Sequence, residues 1–291
     1  MTKEPMVIST APTRIDLAGG TLDIWPLSVL VPGALTVNLA VGLRARVEIE
    51  PLPEKGGAGL RMELVSRDRS ARAVRKLPLD PARADGPLAL LIRLAASFSP
   101  TRSFRMVCRA EAPAGAGLGG SSTLGMAAAG ALNRFTCAGL SRDRLLQRVL
   151  NLETVELQVP TGNQDHLAAV HGGLAAYRFT ADGTERLPIP LPAGLGDRIV
   201  LAYTGLPRNS GASNWDMFRR YIDGEGTARA RMESIAGIAG EMAEALAAGD
   251  LDRTGVLLGQ EGRLRNRLAP SVATPVIRAA GSAAKRAGAL G

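Results

Sequence analysis

Eleven residues, Pro113-Ala-Gly-Ala-Gly-Leu-Gly-Gly-Ser-Ser-Thr123, constrain this chain more than any other stretch. The segment before them, Phe104 to Ala110, has the apolar and β-branched content of a strand. The segment after them, Leu124 to Phe135, is an apolar run that Ser121, Ser122 and Thr123 can cap with hydroxyls. A strand, a glycine loop and a helix therefore follow one another. Gly115, Gly117, Gly119 and Gly120 let the backbone turn with positive φ and approach a ligand closely. A helix beginning near Ser121 adds unpaired N–H groups and the positive end of its dipole. Such a junction is an anion cradle suited to phosphate. Gly115, Gly117 and Gly120 also satisfy G-x-G-x-x-G, so a dinucleotide-binding dehydrogenase stays among the alternatives. The acidic residue such a site wants, about 20 residues on at a strand end, would be Asp143, which falls in a helical pattern instead. No G-x-x-x-x-G-K-[ST] occurs.

The rest of the chain reads as mixed α and β without internal repeats. Leu35 to Ala40 and Leu43 to Glu50 have strand character. Leu145, Leu146, Val149, Leu150 and Leu152 keep helical spacing after Ser141. A further helix starts near Asn163 and ends at Gly172-Gly173, before a strand from Leu174 to Phe179. Pro188, Pro190 and Pro192 block helix continuation between Asp182 and Gly196, which sets a domain boundary there, giving 1–189 and 190–291. Beyond it the pattern predicts a strand at Ile199 to Tyr203, a polar loop from Thr204 to Asn214 and Ala-rich helices from Trp215 onward, with a new cap at Asp250. Trp25, Pro26, Met232 and Met242 read first as core.

Length and composition narrow the function classes. At 291 residues, roughly two domains fit. The most apolar stretch, Thr123 to Leu132, is about half of the ~20 residues a membrane span needs. Met1 to Ser9 has no apolar signal-peptide core, so the expected address is the cytoplasm. The net charge of +8 invites a nucleic-acid reading, yet aromatics are 3% and the basic residues are scattered; only Lys3, Lys55, Lys76 and Lys285 are lysines. A nucleic-acid surface would gather charge with stacking rings, so no nucleic-acid partner is expected. Cys108 and Cys137, read as reduced core thiols, make no ligand set with His166 and His171, which are read as structural.

The glycine segment resembles the second signature motif of the GHMP kinases, the superfamily of galactokinase, homoserine kinase, mevalonate kinase and phosphomevalonate kinase. Two further stretches agree in order. Ala11-Pro-Thr-Arg-Ile-Asp-Leu-Ala-Gly-Gly-Thr-Leu-Asp23 is similar to the first motif of the sugar kinase branch, which includes heptose-7-phosphate kinases and fucokinase-like members. Glu153 followed by Pro160-Thr-Gly-Asn-Gln-Asp165 resembles that branch's acidic pair. The resemblance implies an α+β, two-domain GHMP kinase-like fold and ATP-dependent transfer of phosphate to a hydroxyl of a sugar or sugar phosphate, with the anomeric hydroxyl a candidate. It implies ATP binding by Pro113, Gly115, Gly117, Leu118, Gly119, Gly120, Ser121, Ser122 and Thr123. Mg2+ would take Ser122 and Glu153, Asp165 would be the base or orienting partner with Arg14 beside it, and Gly20, Asp23, Ser213 and Asn214 would contact substrate.

Arg14 and Asp23 favour the sugar branch over a mevalonate-type lipid-precursor kinase. Gly19-Gly20-Thr21-Leu22 departs from the Glu-His-Thr of galactokinases, which argues against galactose itself. The family's third, Gly-Ala-Gly-Gly-Gly-like motif has no counterpart up to Gly291, so the C-terminal domain reads as lacking its last segment. A non-catalytic nucleotide-binding protein on a degenerate kinase scaffold stays an alternative for that reason.

Overall fold

The computed structural model describes residues 6–53, 59–206 and 210–291, excluding the side chains of 210–213. Its strands are β1 (Val7–Ala18), β2 (Leu35–Pro51), β3 (Arg61–Ser66), β4 (Ala71–Lys76), β5 (Phe104–Ala110), β6 (Leu174–Thr180) and β7 (Gly183–Ile189). Its helices are α1 (Leu27–Leu30), α2 (Ala89–Ser97), α3 (Gly120–Phe135), α4 (Arg142–Leu157), α5 (Gln164–His171), α6 (Leu195–Arg198), α7 (Ser210–Ile222), α8 (Ala228–Ala248), α9 (Leu251–Leu268) and α10 (Pro275–Arg286). All seven strands form one mixed sheet in the order β4-β3-β5-β2-β6-β7, with β1 paired to β2.

β2 organises the sheet. The two short strands expected around it merge into one of 17 residues, because β1 runs antiparallel to it from Val7↔Ile49 to Ala18↔Val37. Its other edge is shared: residues 35–39 pair with β6, residues 45–51 with β5. Irregularities in the β1 register fall between Pro12 and Arg14 and between Asp16 and Ala18. Such bulges re-aim side chains, and here they flank Arg14 and Asp16 of the first motif.

Strand alternation divides the apolar residues between two clusters. On β6, Leu174 and Ala176 join Leu17, Val37, Ala239, Met242 and Leu257. Ala175 and Tyr177 join the larger cluster built on α2, α3, α4 and the β2–β5 half of the sheet. α3 lies at the centre of that cluster, buried on nearly all sides, which is what an apolar helix with little polar face requires. Gly125 permits its approach to α4: a Cβ there would stand 2.6 Å from Val149 Cγ1.

Several expectations change. Ile199 to Tyr203 forms no ladder, and Val200 is 91% exposed; β propensity makes a strand only where a neighbouring edge accepts its hydrogen bonds. The expected loop to Asn214 is helical from Ser210, so Asn214 sits on α7. Trp25 is 74% exposed rather than core. Cys137 is exposed in the turn after α3, whereas Cys108 is buried and its thiol is pushed up to about 12 by burial. Gly183–Ile189, expected to lie within a Pro- and Gly-rich boundary segment, is strand β7, paired antiparallel with β6, and the described elements beyond it are helical. Among the described residues no helix is long and apolar enough to cross a membrane.

Candidate active site

The loop between β5 and α3 turns on Gly115, Gly117 and Gly119, at φ of +74°, +79° and +70°. Gly119 is the N-cap of α3 and makes no side-chain cap, so the first-turn N–H groups stay available on this side. Asp165 explains why position 119 cannot carry a side chain: a Cβ there would lie 2.8 Å from its Cγ. Cradle and carboxylate are therefore in van der Waals contact.

A cleft of about 690 Å³ opens along this loop, within the range of small-molecule sites. Pro113, Gly115, Gly117, Gly119, Gly120, Ser121 and Ser122 line one wall, and Arg14, Asp23, Glu153, Asp165 and Asn214 also reach it. Three expected contacts are made elsewhere. Leu118 and Gly20 are buried, and their carbonyls accept from Arg14 N at 3.2 Å and from Arg265 Nη2 at 3.0 Å. Thr123, also buried, donates its hydroxyl to Pro12 O at 3.3 Å. The Ser213 side chain lies outside the described residues.

Charge is concentrated at the motif-one end. Arg14 forms an ion pair with Asp165 and donates from Nη1 to Gly117 O at 2.8 Å, tying β1 to the loop and to α5. Burial works against the Arg14 charge, but Asp165, Asp16 and Asp23 outweigh it and leave its pKa raised. Asp23 Oδ2 accepts from the Gln164 backbone N at 2.9 Å, so it holds the first turn of the helix that carries Asp165. Burial pushes Asp23 up to about 6, against the pull of that N–H and with help from the Asp165 and Asp16 charges. Gly162 makes room for it, since a Cβ there would fall 1.9 Å from Asp23 Oδ2.

On the cradle side, Ser122 on α3 donates to Glu153 Oε2 on α4 at 2.7 Å, and both are buried. Burial would raise the Glu153 pKa; His166, Ser122 and Ser121 reverse that and leave it lowered. A hydroxyl and a carboxylate meeting in a cleft are hard oxygen donors of the kind Mg2+ accepts. Among the described residues no three His, Cys, Asp or Glu side chains are placed to hold a metal ion together, so a cation here would complete its shell with phosphate and water, as Mg2+ commonly does.

Two contacts lay beyond the sequence reading. His166 Nε2 lies 3.0 Å from Glu153 Oε2. Arg265 on α9 pairs with Glu261 and reaches back to Gly20 O and, at 3.4 Å, to Thr21 Oγ1. Thr21, at φ +78°, in turn donates to Asn214 Oδ1 at 3.1 Å. A β-branched residue in that region is strained and needs outside support, which α7 and α9 provide. Partly buried Asp16 has its pKa raised by burial, with Arg265 pulling it down and Glu261 opposing. Nothing local in the sequence announces this cluster.

Residues 88–173 match the model of the GHMP kinases N terminal domain. The L-fucokinase/L-fucose-1-P guanylyltransferase of Bacteroides fragilis is 28% identical in an alignment of 246 positions that covers 71% of this chain and 25% of that protein. The chain thus spans about a quarter of the length of that curated relative. The crystal structure of a D-glycero-D-manno-heptose 1-phosphate kinase from Bacteroides thetaiotaomicron superposes with a TM-score of 0.68 at 23% identity, covering 92% of this chain and 82% of that one. The Methanococcus jannaschii mevalonate kinase does so with a TM-score of 0.68 at 14% identity, covering 94% and 81%. At these identities the structural likeness concerns the fold.

Proposed function

Since the chain carries the GHMP kinases N-terminal domain on the fold those kinases share, we propose that it transfers the γ-phosphoryl group of ATP to a hydroxyl of a sugar or sugar phosphate, the anomeric hydroxyl being a candidate. One observation carries the reading. The glycine cradle, the Ser122–Glu153 pair and the Arg14–Asp165 pair share a single cleft, with Asp23 at the same end as Arg14.

Phosphoryl transfer depends mainly on positioning and on charge neutralisation. In this reading the amides of 115–122 bind the phosphates. Ser122 and Glu153 would hold Mg2+, which supplies positive charge to the phosphate oxygens when bound. Asp165 accepts the proton of the attacking hydroxyl, or orients it, while its oxygen bonds to the γ-phosphorus and the bond to the β–γ bridging oxygen breaks, releasing ADP. Arg14 keeps the Asp165 carboxylate turned toward the cradle. Asp23, once ionised, accepts O–H bonds from a polyol with its free lone pairs; the Asn214 amide adds a second polar group to that wall. Residues 1–189 would form the nucleotide-binding domain and 190–291 the second domain.

An ADP-release assay with galactose, fucose, mannose, heptose 7-phosphate and mevalonate tests the proposal. Turnover with one of the sugars is expected. Turnover with mevalonate alone would overturn the sugar assignment, and nucleotide binding with no turnover on any acceptor would favour the non-catalytic scaffold.

A further inference from the structure

We propose that His166 is a positioning residue that fixes the Glu153 carboxylate for the divalent cation accompanying the nucleotide. The inference rests on the kinase reading. His166 is fully buried at 0% exposure, and burying an imidazole without a partner is costly. Neither ring nitrogen makes a well-formed hydrogen bond, and the carboxylate beside it is that of Glu153, whose Oε2 stands 3.0 Å from Nε2. Around it Leu167, Ala168 and Ala169 are buried and apolar, so an apolar residue at 166 would satisfy packing at lower cost. The imidazole instead stands beside the carboxylate that meets Ser122.

The geometry explains what it does there. Glu153 comes from α4, its Oε2 receives the Ser122 hydroxyl from α3, and His166 from α5 stands against the same oxygen. Rotation of the carboxylate away from the cleft would break both contacts at once. Asp165 and His166 are consecutive on α5, so one short helix reaches Arg14 with the first and Glu153 with the second. Carboxylates that bind metals are generally held by outer partners, whose loss weakens metal affinity by about 10–100-fold.

The test compares full-length wild type with His166→Leu and His166→Gln, using Mn2+ and the non-hydrolysable nucleotide AMP-PNP. Free Mn2+ is read by electron paramagnetic resonance, and metal-free AMP-PNP binding by calorimetry in EDTA. His166→Leu should weaken Mn2+ binding in the nucleotide complex by about 10-fold or more, and His166→Gln, which retains an N–H donor, should recover most of it, with metal-free AMP-PNP affinity unchanged within about twofold. A folded His166→Leu protein with wild-type Mn2+ affinity overturns the inference. A measurement on the wild type removes dependence on variant folding: the His166 ring 15N resonances should move when Mg2+ is added to the AMP-PNP complex, and unmoved resonances overturn it equally. Failure of the wild type to bind AMP-PNP at all would instead overturn the kinase reading.

Discussion

Replacing Asp23 with Asn should stabilise the folded chain at neutral pH while abolishing its use of an acceptor. Asp23 is 6% exposed, and burial pushes its pKa from an ordinary 3.8 to about 6. Between those values the folded chain holds the proton more tightly than the unfolded chain. The stability Asp23 contributes is therefore fully present below pH 3.8 and lost as the pH rises through about 6. The gap corresponds to ~3 kcal/mol at pH 7.5. Asn keeps an oxygen for the Gln164 N–H and carries no charge to desolvate. In urea unfolding at pH 4, 5, 6 and 7.5, Asp23→Asn should match wild type within ~0.5 kcal/mol at pH 4 and exceed it by up to ~3 kcal/mol at pH 7.5. A difference between the two proteins that stays flat across this range would refute the argument from burial. A site carboxylate kept at such a cost is what the trade between stability and function leads one to expect.

Asp165→Asn should lower kcat by about 10²–10⁴-fold and leave AMP-PNP affinity unchanged by calorimetry, since the proton acceptor is lost and the cradle is not. Gly119→Ala adds a left-handed strain of ~1–2 kcal/mol and pushes on Asp165; thermal unfolding should register the first and a roughly 10²-fold loss of ADP release the second. Arg265→Met leaves Glu261 without its ion-pair partner and Asp16 with only the weaker pull of Arg14, and should destabilise the chain by about 3–5 kcal/mol in urea unfolding, with Glu261→Gln in the same background returning part of it.

The parts of the fold that were legible are those whose chemistry is local. Ser141 caps α4 by accepting from Arg144 N, Asp250 caps α9 by accepting from Arg253 N, and Gly172 ends α5 at φ +62°. In each case the residues that satisfy the helix end lie within one turn of it. The strand, glycine loop and helix at Phe104 to Phe135 were readable from the apolar runs on either side of the glycines, although Ser121, Ser122 and Thr123 lie inside α3 and Gly119 is its N-cap. The strands β1, β3, β4 and β7 were not read. β1 carries Arg14 and Asp16 in a register with two irregularities, and its alternation is correspondingly interrupted. Ile199 to Tyr203 failed in the opposite direction, having strand-forming residues and no partner edge. Trp25 and Cys137 show that apolar character alone does not decide burial.

For the site, the sequence by itself pointed to the glycine cradle, because glycines and hydroxyls between a strand and a helix limit the chemistry they can support, and its resemblance to the GHMP kinases nominated Arg14, Asp23, Glu153 and Asp165. Only the tertiary structure decided which of them share a cleft, that Leu118, Thr123 and Gly20 serve behind it, and that His166 stands on Glu153. It also decided that Arg265, 245 residues from Gly20, braces the strained loop beside Asp23. Short motifs are read within a few bonds of themselves, where turn and cap energetics act; contacts between distant residues exist only after the sheet and helices have packed, and their partners are chosen by that packing.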